Sequence, residues 1–73
     1  MSVSNSLNTE LLKQAVETSG ITVTRLAVEV GITRESLYNK LRKDTEFTAS
    51  EIIAVSRALK LTNEQRDHIF FGQ

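Results

Sequence analysis

The chain predicts an all-α fold, a compact five-helix domain, on three observations. No proline interrupts its 73 residues, and apolar residues recur at three- and four-residue spacing without sustained alternation. One local pattern also appears four times: an apolar residue, then Thr or Asn, then an apolar residue four positions after that cap. The Thr or Asn oxygen accepts a backbone N–H left free at a helix start, and the flanking hydrophobes close over it as a staple.

Each helix follows from these signals in turn. Leu7-Asn8 with Leu12 opens a first helix, expected from Thr9 to Thr18, and Ile21-Thr22 with Leu26 opens a second, Val23 to Val30. Ile32-Thr33 with Leu37 starts a third, Arg34 to Lys43. Phe47-Thr48 with Ile52 starts a fourth, Ala49 to Lys60, where Glu51 completes a reciprocal capping box with Thr48. Thr62 and Gln65 mark a fifth start, Asn63 to Phe71, which lacks the staple because Arg66 holds its position. Gly20, Gly31 and Gly72 fall where helix ends use left-handed backbone. The expected core is Leu11, Leu12, Ala15, Val16, Leu26, Ala27, Val30, Ile32, Leu37, Leu41, Ile52, Val55 and Leu59, joined by Phe47 and Ile69. Residues 1–6 read as a flexible tail before a single domain spanning 7–73.

A chain of this length builds one core and no separate catalytic lobe. The absence of cysteine excludes disulfides, thiolate nucleophiles and Cys-based zinc sites. His68 is the one remaining strong metal ligand, with no second His and no paired carboxylates at useful spacing, so neither catalysis nor a metal or other cofactor is expected. The N-terminal MSVSNS has neither positive charge nor an apolar run, and no stretch reaches membrane-spanning length, which points to the cytoplasm. Nine basic and nine acidic side chains sum to zero. Their distribution is uneven: Arg34, Lys40, Arg42 and Lys43 stand against Glu35 alone between Thr33 and Lys43.

The run TVTRLAVEVGITRESLYNKLR, residues 22–42, reads as two short helices joined at Gly31. A steep crossing over little space calls for a small residue at Ala27 and a residue without Cβ at Gly31, with Leu26, Val30, Ile32 and Leu37 as the apolar seam. A helix pair of that shape holds its second helix out toward DNA. At these residues the chain resembles the phage repressor and Cro family of helix-turn-helix proteins, the XRE type, over about residues 11 to 59. The stretches LYNKL, EFTASEI and LKLTNEQRDHIFFG are similar to very small phage- or prophage-encoded Cro-like regulators. The resemblance implies a lambda-repressor-like fold that binds an operator. The chain departs from the pattern at Val23, where the family often places a phosphate-touching Gln, and at Lys40, where it commonly buries an apolar residue; the stem of Lys40 then lies over the core.

With Leu37 and Leu41 inward, the third helix turns Glu35, Asn39 and Arg42 outward, with Arg34 and Tyr38 on one flank. Arg34 suits a guanine edge and Asn39 an adenine. Glu35 can accept from cytosine, repel wrong sequences or simply favour the helix N-terminus, and Tyr38 either meets a sugar or thymine methyl or joins the core. Arg42 and Lys43 are expected at backbone phosphates, unless they serve only as cations at a helix C-terminus. Thr22 and Thr33 cap helices whose N-termini can also meet phosphate. Ile69, Phe70 and Phe71 cannot all face one small core, so Phe70 and Phe71 are the expected homodimer interface. The reading is therefore a Cro-like repressor bound as a dimer to double-stranded operator DNA. The alternative is a protein-binding adaptor or antirepressor, motivated by the neutral charge and Val23.

Overall fold

The computed structural model describes residues 7–72; the expected tail, residues 1–6, lies outside them. Five helices follow one another with no strand among the described residues: α1 (Thr9–Ser19), α2 (Val23–Val30), α3 (Arg34–Leu41), α4 (Ala49–Ala58) and α5 (Asn63–Phe70). Every start is capped as the sequence predicts. Asn8, Thr22, Thr33, Thr48 and Thr62 each accept the backbone N–H three residues on, at 3.0 to 3.2 Å. In α4 and α5 the box closes reciprocally, with Glu51 accepting the Thr48 amide and Gln65 the Thr62 amide, both at 2.8 Å.

The ends of the first four helices divide into two kinds. Gly20 and Gly31 close α1 and α2 at φ 76° and 86°, the left-handed conformation that glycine adopts without steric cost. At Gly31 that conformation is the whole reason for the residue: a Cβ built there meets nothing within 4 Å, so the expectation that glycine serves a tight crossing is corrected. The ends of α3 and α4 use lysine instead. Lys43 and Lys60 sit at φ 67° and 54°, each inside a paired C-terminal motif: the amides of Asp44 and Leu61 reach back to Asn39 and Ser56, and those of Lys43 and Lys60 to Lys40 and Arg57. Both helices therefore stop two residues before the expected Lys43 and Lys60.

α2 packs against both α3 and α4, and α1 packs against α5. The core between them is Leu7, Leu12, Leu26, Ala27, Leu37, Leu41, Val55, Leu59, Ile69 and Phe70. Leu11 is corrected out of it, since the α1 stripe runs through Leu12, Ala15 and Val16 and leaves Leu11 36% exposed. The α1 start is clasped from two sides: the Asn8 amide donates to the Ile69 carbonyl at 2.7 Å, and the Thr9 hydroxyl donates to the Leu41 carbonyl at 3.4 Å. The second of these ties α1 to the C-terminal end of α3.

Candidate nucleic-acid interface

The geometry of α2, the Gly31 turn and α3 decides which side chains face outward. Leu37 is fully buried and Leu41 nearly so, at 0% and 9% exposed. These two, four apart, pin one side of α3 to the core. The opposite side presents Glu35 and Arg42 exposed with Asn39 half-buried, and Arg34 and Tyr38 are exposed on one flank. Tyr38, 40% exposed, is a surface residue with its ring accessible.

Arg34 occupies the notch between the two helices. Its Nη1 donates to Thr24 Oγ1 on α2 at 3.5 Å, and its guanidinium lies 5.9 Å from the centre of the Tyr38 ring. Both contacts hold an exposed cation forward without neutralising it. Thr24 is a partner that sequence reasoning missed; its only signal is a place on α2 one turn from the crossing.

Toward the other end of α3, Asn39 Oδ1 accepts from Arg42 Nη2, and Arg42 Nε donates to Asp44 Oδ2 at 3.2 Å. That ion pair is exposed on both sides, 59% and 61%. Such a pair is worth at most about 1 kcal/mol, so a phosphate can displace the carboxylate. Lys43 is exposed beside it, on the loop leaving α3. Thr22 and Thr33 are exposed as well, and because each oxygen accepts a capping N–H, its own O–H remains able to donate.

Lys40 faces the other way. Only 8% exposed, its ammonium donates to the Glu46 carbonyl at 3.0 Å and pairs with Glu51 at 3.3 Å. Burial pushes the Glu51 carboxyl up, but the Thr48 amide and the Lys40 ammonium outweigh it and hold the group below its ordinary value of 4.5. Of the four cations counted along this segment, Lys40 is consumed inside and Arg42 is partly offset by Asp44. Arg34 and Lys43 carry the outward positive charge.

The expected dimer pair does not hold together. Phe70 is 3% exposed and meets Phe47 edge to face, centroids 5.4 Å apart. Its ring is part of the core and gives no surface to a partner, a correction that follows from α5 turning both Ile69 and Phe70 into the core. Phe71 is half-buried, so the three adjacent hydrophobes are accommodated with none fully exposed. His68 is exposed, its Nε2 3.9 Å from Glu64 one turn earlier. Among the described residues no group of His, Cys, Asp or Glu converges to hold a metal, and no helix is long and apolar enough to cross a membrane.

Comparison with known proteins agrees with this geometry. The family model described as bacterial regulatory protein, Fis family, matches residues 7–43, the stretch that holds α1, α2 and α3. No curated protein and no solved structure matches the chain.

Proposed function

Since the chain belongs to the Fis family of bacterial regulatory proteins, a family of helix-turn-helix DNA-binding regulators, we propose that α3 is its recognition helix and that residues 7–73 act as one sequence-specific domain. The observation that carries this reading is the two-sided character of α3. Leu37, Lys40 and Leu41 are buried, while Arg34 stands exposed on the flank beside α2, braced by Thr24 and Tyr38, and Glu35 and Arg42 are exposed on the outer side. Arg34 donates to a guanine edge in the major groove, Asn39 and Glu35 face adjacent bases, and Tyr38 meets a sugar or a thymine methyl. Lys43, Arg42 and the hydroxyls of Thr22 and Thr33 meet phosphates and fix the register.

The finer reading is a Cro-like repressor of a phage or prophage switch, supported by the resemblance that extends through α4 and α5. It acts by occupying an operator and excluding polymerase. Each copy offers a single recognition helix, whereas half-sites one turn apart lie roughly 34 Å from one another. One copy thus reaches one half-site, which favours a homodimer on a near-palindromic sequence. Phe71 is the residue of the expected pair that retains surface to meet a second copy.

Selection of bound duplexes from a random pool tests binding, symmetry and spacing together. Affinity should fall steeply with added salt, and Arg34→Ala combined with Asn39→Ala should abolish preference for the selected site. The competing reading, a protein-binding adaptor, draws on the zero net charge and the inward turn of Lys40. Absence of duplex binding even at low salt would favour it.

A further inference from the structure

Lys40 is the one buried polar or charged residue among the described residues, and it sits on the helix that the functional reading assigns to DNA. Its surroundings are built for it. The ammonium reaches the Glu46 carbonyl in the α3–α4 connection and Glu51 Oε1 in the first turn of α4, with the two charged side chains only 10% and 16% exposed. The same Oε1 accepts the Thr48 amide at 2.8 Å. One carboxylate oxygen thus closes the start of α4 and anchors a cation from α3.

Stability alone does not explain this arrangement. Buried ion pairs are commonly replaceable by apolar side chains of similar volume at little loss, and a Met at position 40 would continue the Leu37–Leu41 stripe. Direction is what the pair adds. Apolar contacts at Leu37 and Leu41 fix how deep α3 lies but act without preferred orientation. Lys40, three residues after Leu37, leaves the helix on the opposite side of Leu37 from Leu41, so tethering its tip fixes the roll of α3 about its own axis. Side-chain tips lie ~6 Å from a helix axis, so a roll of about 15° displaces them by about 1.5 Å. That exceeds the ~0.5 Å tolerance of a working site.

Resting on the DNA-binding reading of α3, we propose that Lys40 and Glu51 are positioning residues for sequence discrimination: their buried pair sets the roll that aligns Arg34 and Asn39 with base edges. Neither residue touches DNA. The pair acts on the ratio of specific to non-specific binding and leaves electrostatic affinity alone.

The test uses the full chain with Lys40→Met and, separately, Glu51→Gln, which keeps an oxygen to accept the Thr48 amide. Each is melted and then titrated with the selected duplex and with a random duplex over a range of salt. Each leaves one buried charge without its partner and so melts lower than the unaltered chain; below that melt, both should keep its salt slope and random-duplex affinity. Preference for the selected site should fall about tenfold, a part of the discrimination a well-placed base contact provides. An unchanged ratio in the folded variants overturns the proposal. So does a salt slope lowered by about one in Lys40→Met, the signature of a phosphate contact. Unfolding of both variants overturns it too, since the pair would then be a stability element; if only Lys40→Met unfolds, Glu51→Gln decides. A failure of the unaltered chain to bind any duplex would instead remove the functional reading on which the proposal stands.

Discussion

Replacing Lys43 by glycine should make the protein more stable and a poorer DNA binder. Lys43 holds a φ of 67°, a conformation that brings the Cβ of an L-residue against the following carbonyl at about 1 to 2 kcal/mol. Glycine relieves that contact but has more freedom in the unfolded chain, which takes back about 0.5 to 1 kcal/mol. The net gain lies between about 0 and 1.5 kcal/mol, centred on about 0.75 kcal/mol, or about 3 to 6 °C in Tm for a domain of this size. In the proposed complex Lys43 meets a phosphate, so the same change should lower the salt dependence of duplex binding by about 0.9 in log–log slope. Lys60 provides the internal control. It holds φ 54° in the same motif at the far end of α4, so Lys60→Gly should raise Tm by a similar amount without touching the slope. Thermal melts by circular dichroism and fluorescence titrations across salt read both quantities. A lower Tm for Lys43→Gly would refute the backbone argument, and equal binding losses in the two variants would refute the placement of Lys43 on DNA.

Three further outcomes are expected. Phe70→Ala should lose about 3 to 5 kcal/mol because its ring is enclosed and packed on Phe47; a mild loss by chemical denaturation, with altered oligomeric state, would instead return Phe70 to an interface. Thr33→Ala should lose about 1 kcal/mol by removing the α3 cap, and no change in the denaturation midpoint would contradict it. Because the Glu51 carboxyl titrates below its unfolded value of 4.5, the unfolded chain takes up its proton first as pH falls. The contribution of Glu51 to stability is therefore complete above that value and is lost as pH drops through the folded one. Glu51→Gln should flatten the acid side of a Tm-against-pH curve, and identical acid limbs would show that the pair does not carry this dependence.

Helix starts were legible because a cap is a local event: a side-chain oxygen and an amide three residues on need no information from the rest of the fold. Helix ends were legible only where glycine wrote them. At Lys43 and Lys60 the left-handed residue is one that also favours helices, and nothing nearby in sequence distinguishes it from a continuing turn. The outward face of α3 could be read from the spacing of Leu37 and Leu41, and the same spacing placed the stem of Lys40 over the core. Its partner could not be read, because Glu51 advertises itself only as a capping residue, and the meeting depends on how α4 lies. Leu11 and Phe70 were misplaced for one reason: α1 and α5 each carry adjacent apolar residues, and only the mutual packing of those helices decides which of them turns inward. The Thr24 contact of Arg34 belongs to the same class, set by a crossing angle that no single helix encodes.

The bond from the Asn8 amide to the Ile69 carbonyl joins positions almost a whole chain apart, and it changes how the edges of the molecule behave. Terminal turns ordinarily fray independently. Here the beginning of α1 cannot peel away without unlatching the finish of α5, so the two margins open as one unit and share the protection of the interior. A fragment cut at Lys43 would keep the whole helix-turn-helix motif yet take away α5, the helix on which α1 packs, so the motif depends on a distant latch to hold its first helix.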